Sequence, residues 1–225
     1  MAIDPRKRQK QLEKKAAKRK SAQAAVKAEQ AGGGGASSRR PDLTANFPVH
    51  ECLVPVGLFE TGIGNVIVSR KLPGGDLGLG VFLLDVHCLG VKDALYRVVS
   101  EVKYLDMVNR FEGHEVFQKT DPACARKLVE EAAGYAKQIG FDPHPDYKLA
   151  RKIFGDIDAA LCPDEFTFGR DGKPCFVSGP NDSPAKCNRI MDTLTQRLGP
   201  DGFHWITGLD PEDWDEQEPD RDIED

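Results

Sequence analysis

Hydrophobic residues are most concentrated between Gly80 and Gly90, in the run GVFLLDVHCLG. The run is short, is bounded by glycines and is rich in strand-forming residues, which is typical of a buried central strand. The segment 63–72 is also apolar, and the sequence PGGD at 73–76 favours a turn between the two. The pattern therefore predicts an antiparallel hairpin formed by residues 63–72 and 77–89.

The remaining pattern predicts further strands and several helices. Residues 51–59 resemble a strand in which Pro55 indicates an edge position or a break, and apolar residues at helical spacing predict a helix from 95 to 110. The second half predicts elements with clear start and stop signals: a helix from Asp121-Pro122 to Gly140, a short helix from 145 or 146 to Gly155 with Leu149 facing inward, a hairpin at 166–178, a helix from Ser183-Pro184 to Gly199 and a strand at 203–206.

This order of elements indicates an α+β domain at 41–209, with helices packed on a mainly antiparallel sheet.

The two ends of the chain differ from this domain in charge. Residues 1–40 hold twelve basic and three acidic residues, a net charge of +9, whereas 210–225 hold one basic and ten acidic residues, a net charge of −9. The sequence therefore predicts two charged tails, of which the first is disordered or transiently helical and ends in a Gly/Ser linker.

The basic tail is a candidate nucleic-acid interface, because a helix formed there would be surrounded by positive charge. The alternatives are a solubilising tail and a tail that pairs with the acidic C-terminus. The predicted partner is RNA or a ribonucleoprotein, and its contacts would be Arg6, Lys7, Arg8, Lys10, Lys14, Lys15, Lys18, Arg19 and Lys20.

A smaller basic edge is predicted in the body. The segment 179–183 leads into a helix N-terminus, which is suited to an anion, although a plain turn explains it as well. The charged side chains near it are Arg170, Lys173, Lys186 and Arg189.

The cysteines and the hydropathy indicate a compartment. None of the six cysteines forms a CxxC pair, and no apolar run approaches the ~20 residues that span a bilayer. We therefore expect a cytoplasmic protein with reduced thiols and no membrane contact. Zinc is disfavoured because the cysteine and histidine spacing is unpaired, and Cys124 and Cys187 are expected to pack as small hydrophobic side chains.

Asp85 and His87 form the main candidate for catalysis, because alternation along a strand places both on one face. Together with Asp93 they could act as an acid–base or metal-binding group. A metal set of Asp85, Asp156 and Asp158 would hold Mg²⁺ or Mn²⁺, as phosphodiesterases and nucleases require. The alternative is structural: Asp85 caps nearby backbone groups, His87 is a polar residue at a strand end, and Asp156 caps a turn.

Three segments, GVFLLDVHCLGVKDA, IGFDPHPDYKLA and FGRDGKPCFVSGPND, are similar to those of uncharacterised bacterial proteins. The resemblance extends over much of 50–205 and implies one intact domain, but it implies no activity and no catalytic residue. Three functions therefore stay open. The first is an RNA- or ribonucleoprotein-associated binding protein, the second a metal-dependent phosphodiesterase or nuclease around Asp85, and the third a non-catalytic protein-interaction module.

Overall fold

A five-stranded antiparallel sheet forms the centre of the protein. The structure is a computed structural model that describes residues 41–113, 115–179 and 182–206, so the two predicted tails lie outside the described residues. The strands lie in the order β4-β3-β2-β1-β5. Their bounds are β1 (Val49–Pro55), β2 (Ile63–Lys71), β3 (Asp76–Asp85), β4 (Gly90–Ser100) and β5 (Phe117–Lys119).

Helices pack against this sheet, which confirms the predicted α+β class. The α-helices of the described residues are α1 (Pro41–Thr44), α2 (Leu58–Thr61), α3 (Glu101–Glu112), α4 (Pro122–Gln138), α5 (Tyr147–Ala150) and α6 (Pro184–Leu198). Two 3₁₀-helices span Arg151–Phe154 and Ala159–Leu161. A separate pair of parallel strands consists of β6 (Cys175–Val177) and β7 (His204–Ile206).

The central strands are buried on both faces, because helices cover each side of the sheet. Val66 and Phe82 belong to the cluster that includes residues of α4 and α5, whereas Ile67 and Leu79 pack with Tyr104 of α3 on the opposite face. Alternation along each strand sends successive apolar residues to the two faces. This explains why β2 and β3 appear in the sequence as nearly continuous apolar runs.

The predicted hairpin and the predicted starts of the helices at Asp121-Pro122 and Ser183-Pro184 are confirmed. β2 pairs with β3 from Ile63–Asp85 to Lys71–Leu77. The Asp121 side chain accepts a hydrogen bond from the Ala123 N–H at the start of α4, and Ser183 accepts one from the Lys186 N–H at the start of α6. These short-range signals are reliable because a cap satisfies backbone groups that any helix end exposes.

The predicted helix at 95–110 was wrong in its first half. β4 continues to Ser100 and pairs with β3, and the helix begins only at Glu101. The apolar residues at helical spacing misled the prediction, because Val102 and Leu105 are 69% and 53% exposed. Pairing with a strand that is already buried outweighs local helical spacing.

The predicted hairpin at 166–178 was wrong beyond its turn. Arg170 and Lys173 form an isolated bridge, but β6 then pairs in parallel with β7. Phe166 stacks on Phe59, and Phe168 stacks on Tyr135, so the first half of the expected hairpin contributes rings to the core.

Two smaller expectations were also wrong. Leu149 is 49% exposed, and Tyr147 takes the inward position of α5. Cys124 and Cys162 are joined by a disulfide, so these two residues are not the reduced thiols that the spacing suggested. The two cysteines have a sequence separation of 38, so no local motif indicates that they pair.

Candidate anion-binding cleft

Asp85 lies at the end of β3, where its carboxylate organises the chain that follows. Its Oδ1 accepts hydrogen bonds from the backbone N–H groups of His87 and Cys88, at 3.2 and 2.9 Å. The residue is only 6% exposed. Burial raises the pKa of Asp85, and the charge of Lys92 and the hydrogen bonds from the backbone partly oppose this rise. The carboxylate therefore acts as a cap for the turn that joins β3 to β4.

His87 is also held by structural contacts. Its Nε2 lies 2.8 Å from the carbonyl oxygen of Phe59, and the residue is 5% exposed. The ring packs directly on Gly62, whose φ of 80° favours glycine. A β-carbon at Gly62 would lie only 2.2 Å from His87 Nδ1. The imidazole therefore fills a position that is defined by α2 and the start of β2.

The other predicted carboxylates have their own partners. Asp93 Oδ1 lies 3.7 Å from His144 Nδ1, Asp156 Oδ1 lies 3.9 Å from Arg70, and the Asp158 side chain accepts a hydrogen bond from the Ala160 N–H.

Among the described residues, the side chains whose ligand atoms converge as a metal site requires are Cys124, Cys162 and Asp164, with all three atoms within 4.8 Å of one another. Neither predicted set, Asp85 with His87 and Asp93 or Asp85 with Asp156 and Asp158, forms such a group. Binding of Mg²⁺ or Mn²⁺ around Asp85 thus stays a prediction.

A cleft lies beside this polar end of the central hairpin. It has a volume of about 400 Å³ and is bounded by the start of β4, the segment 141–145 and α6. Its apolar wall includes Leu89, Val91, Phe141 and Ile190. Its charged and titratable lining side chains are Lys92, Asp142, His144, Lys186 and Arg189.

The cations of this cleft differ in their availability to a ligand. Lys186 Nζ lies 2.7 Å from Asp182 Oδ1. Burial acts to raise the pKa of Asp182, but hydrogen bonds from Lys186 and the Gly179 N–H, together with the charge of Lys92, place it below its ordinary value. By contrast, Lys92 and Arg189 have no ion-pair partner within the described ranges, although Arg189 Nε donates to the carbonyl of Ala185 at 3.3 Å. Of the three cations that line the cleft, these two carry a charge that no carboxylate of the described residues pairs with.

Two of the five charged or titratable side chains that line this cleft could be identified from the sequence. These are Lys186 and Arg189, which follow a helix cap but were predicted to form one basic edge with Arg170 and Lys173. In the structure Lys173 Nζ donates to the carbonyl of Asp201, and the Arg170 side chain lies beside Asp171. Lys92 and His144 were missed, because they reach the cleft from distant parts of the chain.

Comparison with known proteins adds no assignment to this geometry. No protein-family model, curated protein or solved structure matches the chain. This result agrees with the resemblance to proteins that have no described activity. Among the helices that the structure describes, none is both long and apolar enough to cross a membrane.

Proposed function

We propose that this protein is a cytoplasmic RNA- or ribonucleoprotein-associated binding protein. Two features support the proposal. The tail at 1–40 has a net charge of +9 and is joined to the body by a Gly/Ser linker. The cleft presents two cations without an ion-pair partner in the described part of the chain, beside an apolar wall. The availability of Lys92 and Arg189 is the observation that carries the role of the body.

The cleft suits a nucleotide better than a bare phosphate. An apolar wall provides a surface for a base, and Lys92 and Arg189 provide charge for the phosphate. A volume of about 400 Å³ lies in the range of roughly 300–1,000 Å³ that small ligands occupy. The cleft can thus accept one unstacked nucleotide. Proteins usually recognise single-stranded RNA by binding unstacked bases in this way.

The tail provides the second contact. The body between 41 and 209 carries a net charge of −5, so its overall charge repels a polyanion. A tethered basic segment compensates by attracting the phosphate backbone, and this attraction weakens as salt rises. We therefore expect that loss of the tail and loss of the cleft cations change the salt dependence of RNA binding differently.

The experiment measures binding of a fluorescent single-stranded RNA to the full chain over a range of salt concentrations. In the tail variant, the nine basic residues from Arg6 to Lys20 become glutamine; it should lose affinity at low salt and show a shallower salt dependence. In the cleft variant, Lys92 and Arg189 become glutamine; it should bind about tenfold more weakly, a loss of about 1.4 kcal/mol.

A matched control separates the cleft from overall charge. Lys71 and Lys103 are exposed and lie outside the cleft lining, so their replacement by glutamine changes the net charge equally. We expect this control to bind within about twofold of the wild type. Equal affinities of the wild type and the tail variant at low salt would remove the tail from the proposal. Equal affinities of the cleft and control variants would remove the cleft.

A further inference from the structure

The disulfide between Cys124 and Cys162 lies beside a carboxylate. The two Sγ atoms and one carboxylate oxygen of Asp164 all lie within 4.8 Å of one another. Both cysteines are buried, whereas Asp164 is exposed. In the described residues, the carboxylate of Asp164 has no hydrogen-bond or ion-pair partner. Lys127 Nζ, which lies nearby, donates to the backbone carbonyl of Asp164 at 2.6 Å. The carboxylate is therefore available to a ligand.

The same group borders a second cavity. This cavity has a volume of about 270 Å³, and Cys124 and Asp164 are both part of its lining. Gln118, Thr120 and Glu60 add polar groups to the lining, and Phe166 adds an apolar one. A ligand or water molecule in the cavity can thus approach the sulfur–carboxylate group from one side.

Cys124 and Cys162 come from segments that differ in structure. Cys124 lies in the first turn of α4, a helix of seventeen residues. Cys162 directly follows the 3₁₀-helix Ala159–Leu161, in a segment without regular secondary structure. Reduction removes the covalent bond between the two sulfurs, so both thiols become available as ligands beside Asp164.

We propose that Cys124, Cys162 and Asp164 form a binding site for a thiophilic divalent cation such as Zn²⁺ when the disulfide is reduced. Zinc takes thiolates at about 2.3 Å and carboxylate oxygens at about 2.0–2.2 Å in a tetrahedral arrangement. The three side chains provide two sulfurs and one oxygen. The fourth ligand would be a water molecule or a small ligand from the cavity that Cys124 and Asp164 line.

The oxidised and metal-bound states exclude each other. A dithiol reductant transfers two electrons and two protons to the disulfide, which yields two cysteine thiols and the oxidised, disulfide form of the reductant. Binding of Zn²⁺ then releases the two thiol protons, because thiolates are the ligands. The cavity site is thereby open to the cation only under reducing conditions.

The test uses the full chain. The protein is reduced with dithiothreitol, and the reductant is then removed under anaerobic conditions. Titration with Co²⁺ should give an absorption band of thiolate-to-cobalt charge transfer that saturates at one equivalent and disappears when Zn²⁺ is added. The oxidised protein should give no such band. Cys124→Ser and Cys162→Ser should each lose at least half of the band intensity, and Asp164→Asn should weaken binding on the order of tenfold.

Two controls keep the result decisive. Cys187→Ser removes the partly exposed thiol outside the site and should leave the titration unchanged. Alkylation of the reduced wild type, read by mass spectrometry, should show that Zn²⁺ protects Cys124 and Cys162 even if a serine variant fails to fold. Absence of the charge-transfer band in the reduced wild type would overturn the proposal. So would an undiminished band in folded Cys124→Ser, or equal alkylation with and without Zn²⁺.

Discussion

Asp85 was predicted from the sequence either as a catalytic acid or as a cap for nearby backbone groups. A buried acid near a histidine is a reasonable candidate for catalysis when only the sequence is known. The structure gives its carboxylate two backbone partners and gives His87 the carbonyl of Phe59. Residues held in this way maintain the turn between β3 and β4. These contacts stabilise the turn that leads into the neighbouring cleft, and a catalytic role of Asp85 and His87 stays a prediction.

Asp85→Ala is expected to lower the free energy of unfolding by about 1–3 kcal/mol, because two buried N–H groups lose their acceptor. Asp85→Asn keeps an oxygen acceptor and should be less destabilising. Urea unfolding followed by circular dichroism measures both. A larger loss for Asp85→Asn than for Asp85→Ala would contradict the capping role.

The pH dependence provides a separate test of the same residue. Burial raises the pKa of Asp85 in the folded protein, so the folded state binds this proton more tightly than the unfolded chain does. The resulting stability is fully present below the unfolded pKa and is lost as pH rises through the folded pKa. Urea unfolding at a series of pH values should therefore show that the wild type loses stability relative to Asp85→Asn over this interval. A constant difference between the two proteins would contradict the prediction.

At the scale of elements, Arg70 connects the sheet to the helical layer. Its guanidinium is buried and donates to the carbonyls of Ile153, Phe154 and Phe47, at 2.7, 2.6 and 2.7 Å. Burial acts to lower the pKa of Arg70, and the charge of Asp156 opposes this change. The side chain thus ties β2 to the 3₁₀-helix Arg151–Phe154. The sequence offered only an arginine near the end of a strand, and no local pattern indicates these three acceptors.

Arg70→Met should lower the free energy of unfolding by at least about 2 kcal/mol, since buried carbonyls lose charged donors. Arg70→Lys should recover part of this loss, because an ammonium cannot reproduce the planar fork of the guanidinium. The control is Asp156→Asn: the Asp156 side chain is 96% exposed, so its ion pair should contribute less than about 1 kcal/mol. Chemical denaturation of the three variants decides whether Arg70 or its ion pair matters.

Across the whole described body, one covalent bond joins segments that are far apart in the chain. The disulfide connects the start of α4 to residue 162, with a sequence separation of 38. A cross-link over such a loop restricts the unfolded chain and typically stabilises a protein by about 2–4 kcal/mol. The redox state of this disulfide therefore affects both the stability of the whole body and the proposed cation site.

Reduction in the presence of a metal chelator should lower the free energy of unfolding by about 2–4 kcal/mol. The measurement is urea unfolding with and without a reductant. The double variant Cys124→Ser/Cys162→Ser should be insensitive to the reductant, which shows that no other thiol causes the effect. An equal response of the double variant would place the redox sensitivity elsewhere.

The α+β class, the hairpin of β2 and β3, and the beginnings of α4 and α6 could be predicted from the sequence by itself. Each depends on residues within one turn or one hairpin, where capping, glycine turns and alternation act locally. The tertiary structure alone decided that β4 extends to Ser100, that Cys124 meets Cys162, and that Lys92 joins Arg189 at one cleft. These arrangements depend on contacts between residues distant in the chain, whose geometry no local pattern contains.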